Sequence, residues 1–551
     1  MMKPLPILIA SIAVLALATQ LAAQGGSPLQ PPTAPIENLV TPEKAVLGKI
    51  LFWEEQMSSS NTMACGTCHI PAAGFADPRE QAHPGYDGLL NTVDDYVTTP
   101  GVIRTTADGK YSPDPVFGLR EQSTRRRTPD IFGAMYSPTA FWDGRAVDEF
   151  IDPVTGLVSI VYGGSLESQV AGPPLSTAEM AHEGRDWAMI ATKIAGSKPL
   201  CLASDLPPDV AQAIAQFPTY PELFENVFGD PAVTAERIIF AIATYERTLV
   251  PDDTPYFRWF QGQSNAMTPD QITGHDQFMT IALCTTCHQP PIFTQPEFFN
   301  LGLREWQEDP GRMDVTGLYQ DRGKFKSPSL LNSGLRPRYM HNGEHTVLWP
   351  GGVGQIYMDG GGPITDNLDP LLEPLDQVPG IEMDKIMDFV GNALTDPRVR
   401  DELYPFDRPT LYSERFPAGT NEYGHATPAS AGGELPRLLA KEPPFTGSQD
   451  FRVGLDNAPA NANSRLVLSV APLYGAVRGG VALFADPRQA RDYFVVTSDN
   501  GSGVGYATVI LPIPNDPNLI GSRFFAQWFI NDPTTTHNML STGGAWFKIR
   551  D

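Results

Sequence analysis

Cysteine is scarce in this chain, five in 551 residues, and four of the five crowd into two pentapeptides. Random scatter does not produce that. Positive charge is also in short supply: 39 Lys and Arg stand against 63 Asp and Glu, a formal net charge of −24. Such a chain repels phosphate rather than releasing its counterions, which argues against a nucleic-acid binder. A positively charged partner protein is steered towards it, although acidity also serves simply to keep a protein soluble. Long apolar runs are missing beyond the amino terminus. There, Met1-Met2-Lys3, an apolar stretch from about residue 5 to 18 and Leu21-Ala22-Ala23-Gln24 read as a secretory signal cleaved after Ala23. An uncleaved anchor is the alternative, but the run is barely long enough to span a bilayer.

The two pentapeptides are Cys65-Gly66-Thr67-Cys68-His69 and Cys284-Thr285-Thr286-Cys287-His288. Two thiols at this spacing can add across haem vinyl groups, and the adjacent imidazole is placed on one face of the iron. Disulfides or a zinc site are the competing readings. Zinc would pair the two Cys-x-x-Cys units without needing a histidine after each. The spacing therefore predicts two covalently bound c-type haems, anchored by Cys65 and Cys68 and by Cys284 and Cys287, with His69 and His288 as proximal ligands. Bacteria attach such haem outside the cytoplasmic membrane, which agrees with export to the periplasm. Cys201 is left over and reads as a plain buried or half-buried thiol, with intermolecular pairing as the alternative.

The chain duplicates itself internally. Thr41-Pro42-Glu43 opens a segment with Val46, Leu47, Ile50 and Leu51 at helical spacing, followed by the first haem motif. Thr268-Pro269-Asp270 opens another, with Ile272, Phe278 and Met279, followed by the second. In both, threonine is placed to cap a helix, proline occupies its first position and an acid sits in its first turn. Helical periodicity also marks residues 234–249 and 383–394. From about residue 434 short β-rich runs at 466–470, 480–484, 493–497, 506–512, 524–530 and 545–549 alternate with turn residues. The expected fold is mainly α, two cytochrome c-like haem domains at 24–250 and 251–420, followed by an all-β, sandwich-like accessory module at 434–551. Since every chemical motif lies upstream, removing that module is expected to leave haem content and turnover intact.

Phe141-Trp142-Asp143-Gly144-Arg145-Ala146, the Gly323–Leu330 run and Tyr339-Met340-His341-Asn342-Gly343, set in order around the two haem motifs, resemble the bacterial di-haem cytochrome c peroxidase and MauG family over about residues 40–410. The resemblance implies a peroxidatic haem at His69, an electron-receiving haem at His288 and a tryptophan, Trp142, between them. It also aligns residues 169–180 with the loop over the reactive haem. Peroxide cleavage needs a base that carries a proton from one oxygen to the other, and Glu179 is the candidate, with Gln169 donating a hydrogen bond that orients peroxide.

Three features depart from the family pattern or choose within it. The loop between Trp142 and Gln169 is elaborated. The asparagine that the family links to an inter-haem calcium corresponds here to Arg127, which puts calcium in doubt; the acidic segment Asp87-Gly88 to Asp94-Asp95 has suitable oxygens but no EF-hand spacing and reads as a solvated loop. The sixth ligands fall on His83 for the first haem and on Tyr357 or Met358 for the second, with Tyr357 at the aligned position and His341 and His345 nearby.

The implied activity is a periplasmic peroxidase reducing hydrogen peroxide to water with electrons from a small cytochrome c or cupredoxin, with room for a homodimer and no membrane after signal cleavage. A MauG-type oxidase that modifies a partner protein, and a pure electron-transfer cytochrome, are the alternatives. The last has no use for Glu179 and Gln169.

Overall fold

The computed structural model describes residues 29–417, 419–427, 434–478 and 481–551; the expected signal segment lies outside them. Among the described residues no helix is long and apolar enough to cross a membrane.

The helix Pro42–Phe52 is capped as its sequence predicts, Thr41 Oγ1 accepting from Lys44 N at 3.3 Å. It buries Leu47, Ile50, Leu51 and Phe52 against the helix Ala235–Thr248, itself capped by Thr234 and buried almost throughout. The two backbones touch at Gly48, where a Cβ would meet the Ala241 carbonyl at 1.9 Å. Only glycine permits that crossing. Around this pair lies the first core, which also takes in Trp53, Phe75, Phe132, Trp187 and Tyr220.

The second unit repeats the plan. The helix Pro269–Met279, capped by Thr268, packs on Met383–Asp388, which continues as a π-helical turn over Phe389–Ala393. Tyr256, Phe278, Phe293 and Phe389 form an aromatic cluster with ring centres 5.2–5.9 Å apart.

The chain then returns. Val399, Phe406 and Leu411 join the core of the first unit rather than the second, so the expected span of 251–420 for the second unit is too long at its end. Lys49 reaches across to Asp407 at 2.7 Å and Asp209 at 3.2 Å.

Among the described residues no α-helix follows Tyr412–Arg415, and "mainly α" applies only to the chain before it. The rest forms two larger antiparallel sheets and a two-stranded antiparallel ribbon, Pro472–Arg478 with Val481–Ala485. One runs Asn421–Tyr423, Gly544–Lys548, Arg523–Asn531, Asn463–Ser469, Ala490–Val496, with Met539–Ser541 on the third strand. The other runs Arg437–Leu439, Arg452–Pro459, Val504–Ile510, Ser498–Asp499. Val453, Leu455 and Val509 from one face Leu466, Trp528 and Phe547 from the other, and Trp528 Nε1 donates across the gap to Gly454 O at 2.9 Å. The sheet thus begins at Asn421, not at residue 434: the early strand is too short and polar to announce itself.

The β module is not a loose appendage. Tyr111 Oη donates to Glu442 at 2.7 Å, Lys193 pairs with Asp450 at 3.0 Å, and the Arg452 guanidinium donates to Gly109 O. Leu439 shares a small apolar cluster with Ile103, Tyr111 and Leu119. These contacts revise the expectation that the module is dispensable. Cys201 is a free thiol at the edge of a cluster of Leu202, Tyr412 and Phe445.

Candidate active site

The first haem motif forms a single helical turn, Cys65–Cys68, whose entry is tied by Ala64 N donating to Thr67 Oγ1 at 2.8 Å. His69 Nδ1 lies 3.0 Å from Phe75 O. A carbonyl only accepts, so Nδ1 carries the proton and Nε2 keeps its lone pair free. Burial holds the imidazole below its ordinary pKa and hence neutral, the form a metal requires. Both thiols and His69 line one cavity of about 600 Å³, and neither thiol is in a disulfide. The chamber thus offers what a c-type haem asks of a protein: two free thiols, an oriented imidazole and room.

Glu179 and Gln169 line the same cavity. Glu179 follows a turn in which Val102 N donates to Ala178 O at 3.1 Å and Ser59 N to Met180 O at 2.9 Å, so its backbone is held on both sides. Burial raises its carboxyl above the usual range, with Arg145 and Ser176 opposing. Gln169 sits on the helix Ser165–Val170. That helix is anchored by Glu167, which accepts from Arg247 at 2.6 and 2.8 Å and from Asn38 at 2.7 Å, all buried.

The cavity holds a further buried acid that the sequence reading missed. Glu246 is 3% exposed, lines the chamber, and leaves Oε2 without a hydrogen-bond partner. Burial pushes its pKa up to about 8, against the opposing pull of Arg247. Its place in an otherwise ordinary amphipathic helix hid it; a carboxylate at an interior position of Ala235–Thr248 was the available signal.

The second cavity, of about 390 Å³, is lined by Cys284, Cys287 and His288. Here too the imidazole is oriented by a carbonyl, His288 Nδ1 lying 3.1 Å from Phe293 O, and burial lowers its pKa to about 4. Tyr357, on the helix Val353–Asp359, lines this cavity; Met358 does not. Neighbours on a helix point about 100° apart, and of this pair it is Tyr357 that faces the chamber. Burial, with the thiols of Cys284 and Cys287 adding to it, holds the Tyr357 phenol well above its ordinary pKa.

His83 lines neither cavity. It belongs to the strand Gln81–His83, pairs with Tyr96 and stacks on that ring at 4.4 Å, while its Nδ1 accepts from Gly85 N at 3.2 Å. Strand pairing, invisible in a lone loop histidine, takes it away from the first chamber. In the neighbouring acidic loop the Asp94 carboxylate accepts from Tyr86 N and Asp87 N, and Asp95 from Asn91 N, so those oxygens serve the turn itself.

Trp142 lines both cavities, as do Arg127, Thr128 and Pro129. The indole N–H donates to Arg127 O at 2.8 Å, and the ring lies edge-on to His341 with centres 6.3 Å apart. His341 is buried and stacked on Phe325 at 3.6 Å; His345 meets Tyr339 only through its carbonyl.

Two chambers, each built on a Cys-x-x-Cys-His turn and sharing Arg127, Thr128, Pro129 and Trp142 along a common wall, fit two c-type haems. Residues 42–265 match the model of the di-haem cytochrome c peroxidase family. It is similar to cytochrome c551 peroxidase of Nitrosomonas europaea, 29% identical over 347 residues, 61% of this chain and 80% of that one. Methylamine utilization protein MauG of Methylorubrum extorquens is 28% identical over 312 residues, 56% of this chain and 67% of that one. Cytochrome-c peroxidase IdrP1 of a Pseudomonas species is 28% identical over 454 residues, 75% of this chain and 97% of that one.

Proposed function

We propose that the chain reduces hydrogen peroxide to water in the first cavity, with electrons received at the second from a small cytochrome c or copper protein in the periplasm. The observation that carries this reading is the meeting of Glu179, Gln169 and His69 around one chamber. The haems, when bound, supply the iron and the electron storage. Each turnover takes one peroxide, two electrons and two protons and yields two waters. Glu179 accepts the proton of one peroxide oxygen and returns it to the other, making water the leaving group. The Gln169 amide donates to peroxide and holds it for that transfer. The Phe75 and Phe293 carbonyls keep His69 and His288 turned with Nε2 towards their chambers. Trp142 supplies an aromatic path between the chambers.

A second reading has one observation in its favour: Tyr357, not Met358, lines the second cavity. A phenolate there would suit a MauG-type protein oxidase. One experiment separates them. The haem-loaded protein, two haems per chain by alkaline pyridine assay, is given peroxide and a reduced small cytochrome c. Oxidation of two cytochromes per peroxide, at many turnovers, is expected. A protein that takes up peroxide's oxidising equivalents but leaves the cytochrome reduced falls to the second reading.

A further inference from the structure

We propose that the guanidinium of Arg127 is a built-in cation that does the work of a bound metal ion at the seam between the two cavities, so that the seam is independent of calcium. Arg127 is 3% exposed. Its Nη1 donates to Arg79 O at 2.9 Å and to Thr98 O at 3.1 Å, and its Nη2 donates to Asp77 O. Three backbone carbonyls from two separate segments therefore converge on one buried positive charge. Carbonyl oxygens so arranged are the ligands a calcium ion takes. Here three N–H groups of a planar guanidinium answer them. The nearest carboxylate of those segments, Asp77, is engaged with Arg79 at 2.8 Å. A divalent ion does not fit beside a fixed cation that already holds the oxygens it would need.

The backbone of the same residue carries this anchoring to both cavities. Arg127 N donates to His341 O at 2.8 Å, and Arg127 O receives the Trp142 indole. The segment bearing His341 closes tightly over the side chain: a Cβ on Gly343, where φ is +66°, would lie 2.8 Å from Arg127 Cγ. Arg127 is thus a positioning residue. It ties the segment 77–79 to Thr98 with its head and orients Trp142 and His341 with its main chain. The effect on electron passage rests on the two-haem reading above; the calcium result does not.

The test uses the haem-loaded wild type and Arg127→Asn, which removes the charge and supplies an oxygen. Haem is counted first; fewer than two per chain overturns the two-haem reading and leaves the calcium measurement standing. Elemental analysis of the wild type after gel filtration is expected to find no stoichiometric calcium. Its thermal midpoint, and the rate at which peroxide oxidises the second haem, should be the same in chelator as in millimolar calcium. Arg127→Asn should have a lower midpoint and an oxidation rate reduced about tenfold or more in chelator, both recovering on adding calcium. A wild type that holds one calcium per chain, or that slows in chelator, overturns the proposal. So does an Arg127→Asn protein indifferent to calcium, because its carbonyls would then form no cation cage.

Discussion

The indole N–H of Trp142 donates to the main-chain carbonyl of Arg127 at 2.8 Å, and both residues border both cavities. The only polar atom of this shared side chain is therefore fixed to the backbone of the wall. Replacing Trp142 with Phe keeps an aromatic ring but leaves that carbonyl unpaired, at a cost of about 1–3 kcal/mol. Both haems should remain attached, while peroxide oxidises the second haem more slowly than in wild type. Stopped-flow spectra in the reduced-haem bands measure it; an unchanged rate would remove Trp142 from the path.

Glu179→Gln should keep the fold and both haems and lose about 10²–10⁴ of peroxide turnover, the usual range for losing an acid–base group. Steady-state oxidation of a saturating donor reads this directly. Because burial raises the Glu179 pKa, wild-type turnover should fall with acidity at a higher pH than an ordinary carboxylate would impose.

Glu246 makes stability depend on pH. Its folded pKa of about 8 lies above the ordinary 4.5, so between those values the folded chain binds more protons than the unfolded one. Stability is then full below about 4.5 and declines as pH rises towards about 8. Thermal midpoints across that window should decline less steeply in Glu246→Gln than in wild type. Parallel declines in the two proteins would assign the dependence to other groups.

Tyr357 and Met358 separate the two enzyme readings. With Tyr357 facing the second chamber, Tyr357→Phe should alter the spectrum and raise the potential of the second haem, and Met358→Leu should leave both alone. A phenolate favours ferric iron, a thioether ferrous. The reverse pattern, a high-potential haem lost only in Met358→Leu, would overturn the Tyr357 assignment.

Truncation before residue 434 should now be damaging. It strips Tyr111 of Glu442 and Lys193 of Asp450 and uncovers the cluster of Ile103, Tyr111 and Leu119. The buried Tyr111–Glu442 bond is worth about 1–3 kcal/mol, and the part-exposed Lys193–Asp450 pair less. The expected result is a lower thermal midpoint and reduced occupancy of the first haem, with the second haem spared. A truncated protein with wild-type melting would restore the view of the module as an appendage.

What could be read from the sequence was whatever the chemistry forces to be contiguous. Haem attachment needs two thiols and a histidine within five residues, and a helix start needs Thr41 or Thr268 beside its proline, so both were plain. The strand Arg452–Pro459 was not, because Gly454, Asp456, Asn457 and Pro459 break its alternation and only pairing with Val504–Ile510 supports it. Glu246 looked like any helix acid until the fold buried it against the first cavity. Arg127 could be seen to be unusual, but its three carbonyls come from residues 77, 79 and 98, and convergence of that kind has no local signature. His83 was misread for the same reason: its partner Tyr96 lies across a turn.

The returning segment after Val399 also sets an order of events. Glu55, ten residues before the first cysteine, spends its buried carboxylate on Tyr412 N at 2.6 Å and Ser413 N at 2.9 Å, and Phe75 packs edge-on against Phe406. These partners stand more than three hundred residues downstream of Glu55 and Phe75. A chain made from its amino terminus cannot close the first unit until most of it has emerged. Through that interval Cys65 and Cys68 remain reachable in an unfinished structure, which is the window a haem-attaching machinery needs; the second unit, whose helices Pro269–Met279 and Met383–Asp388 lie closer in sequence, can close sooner.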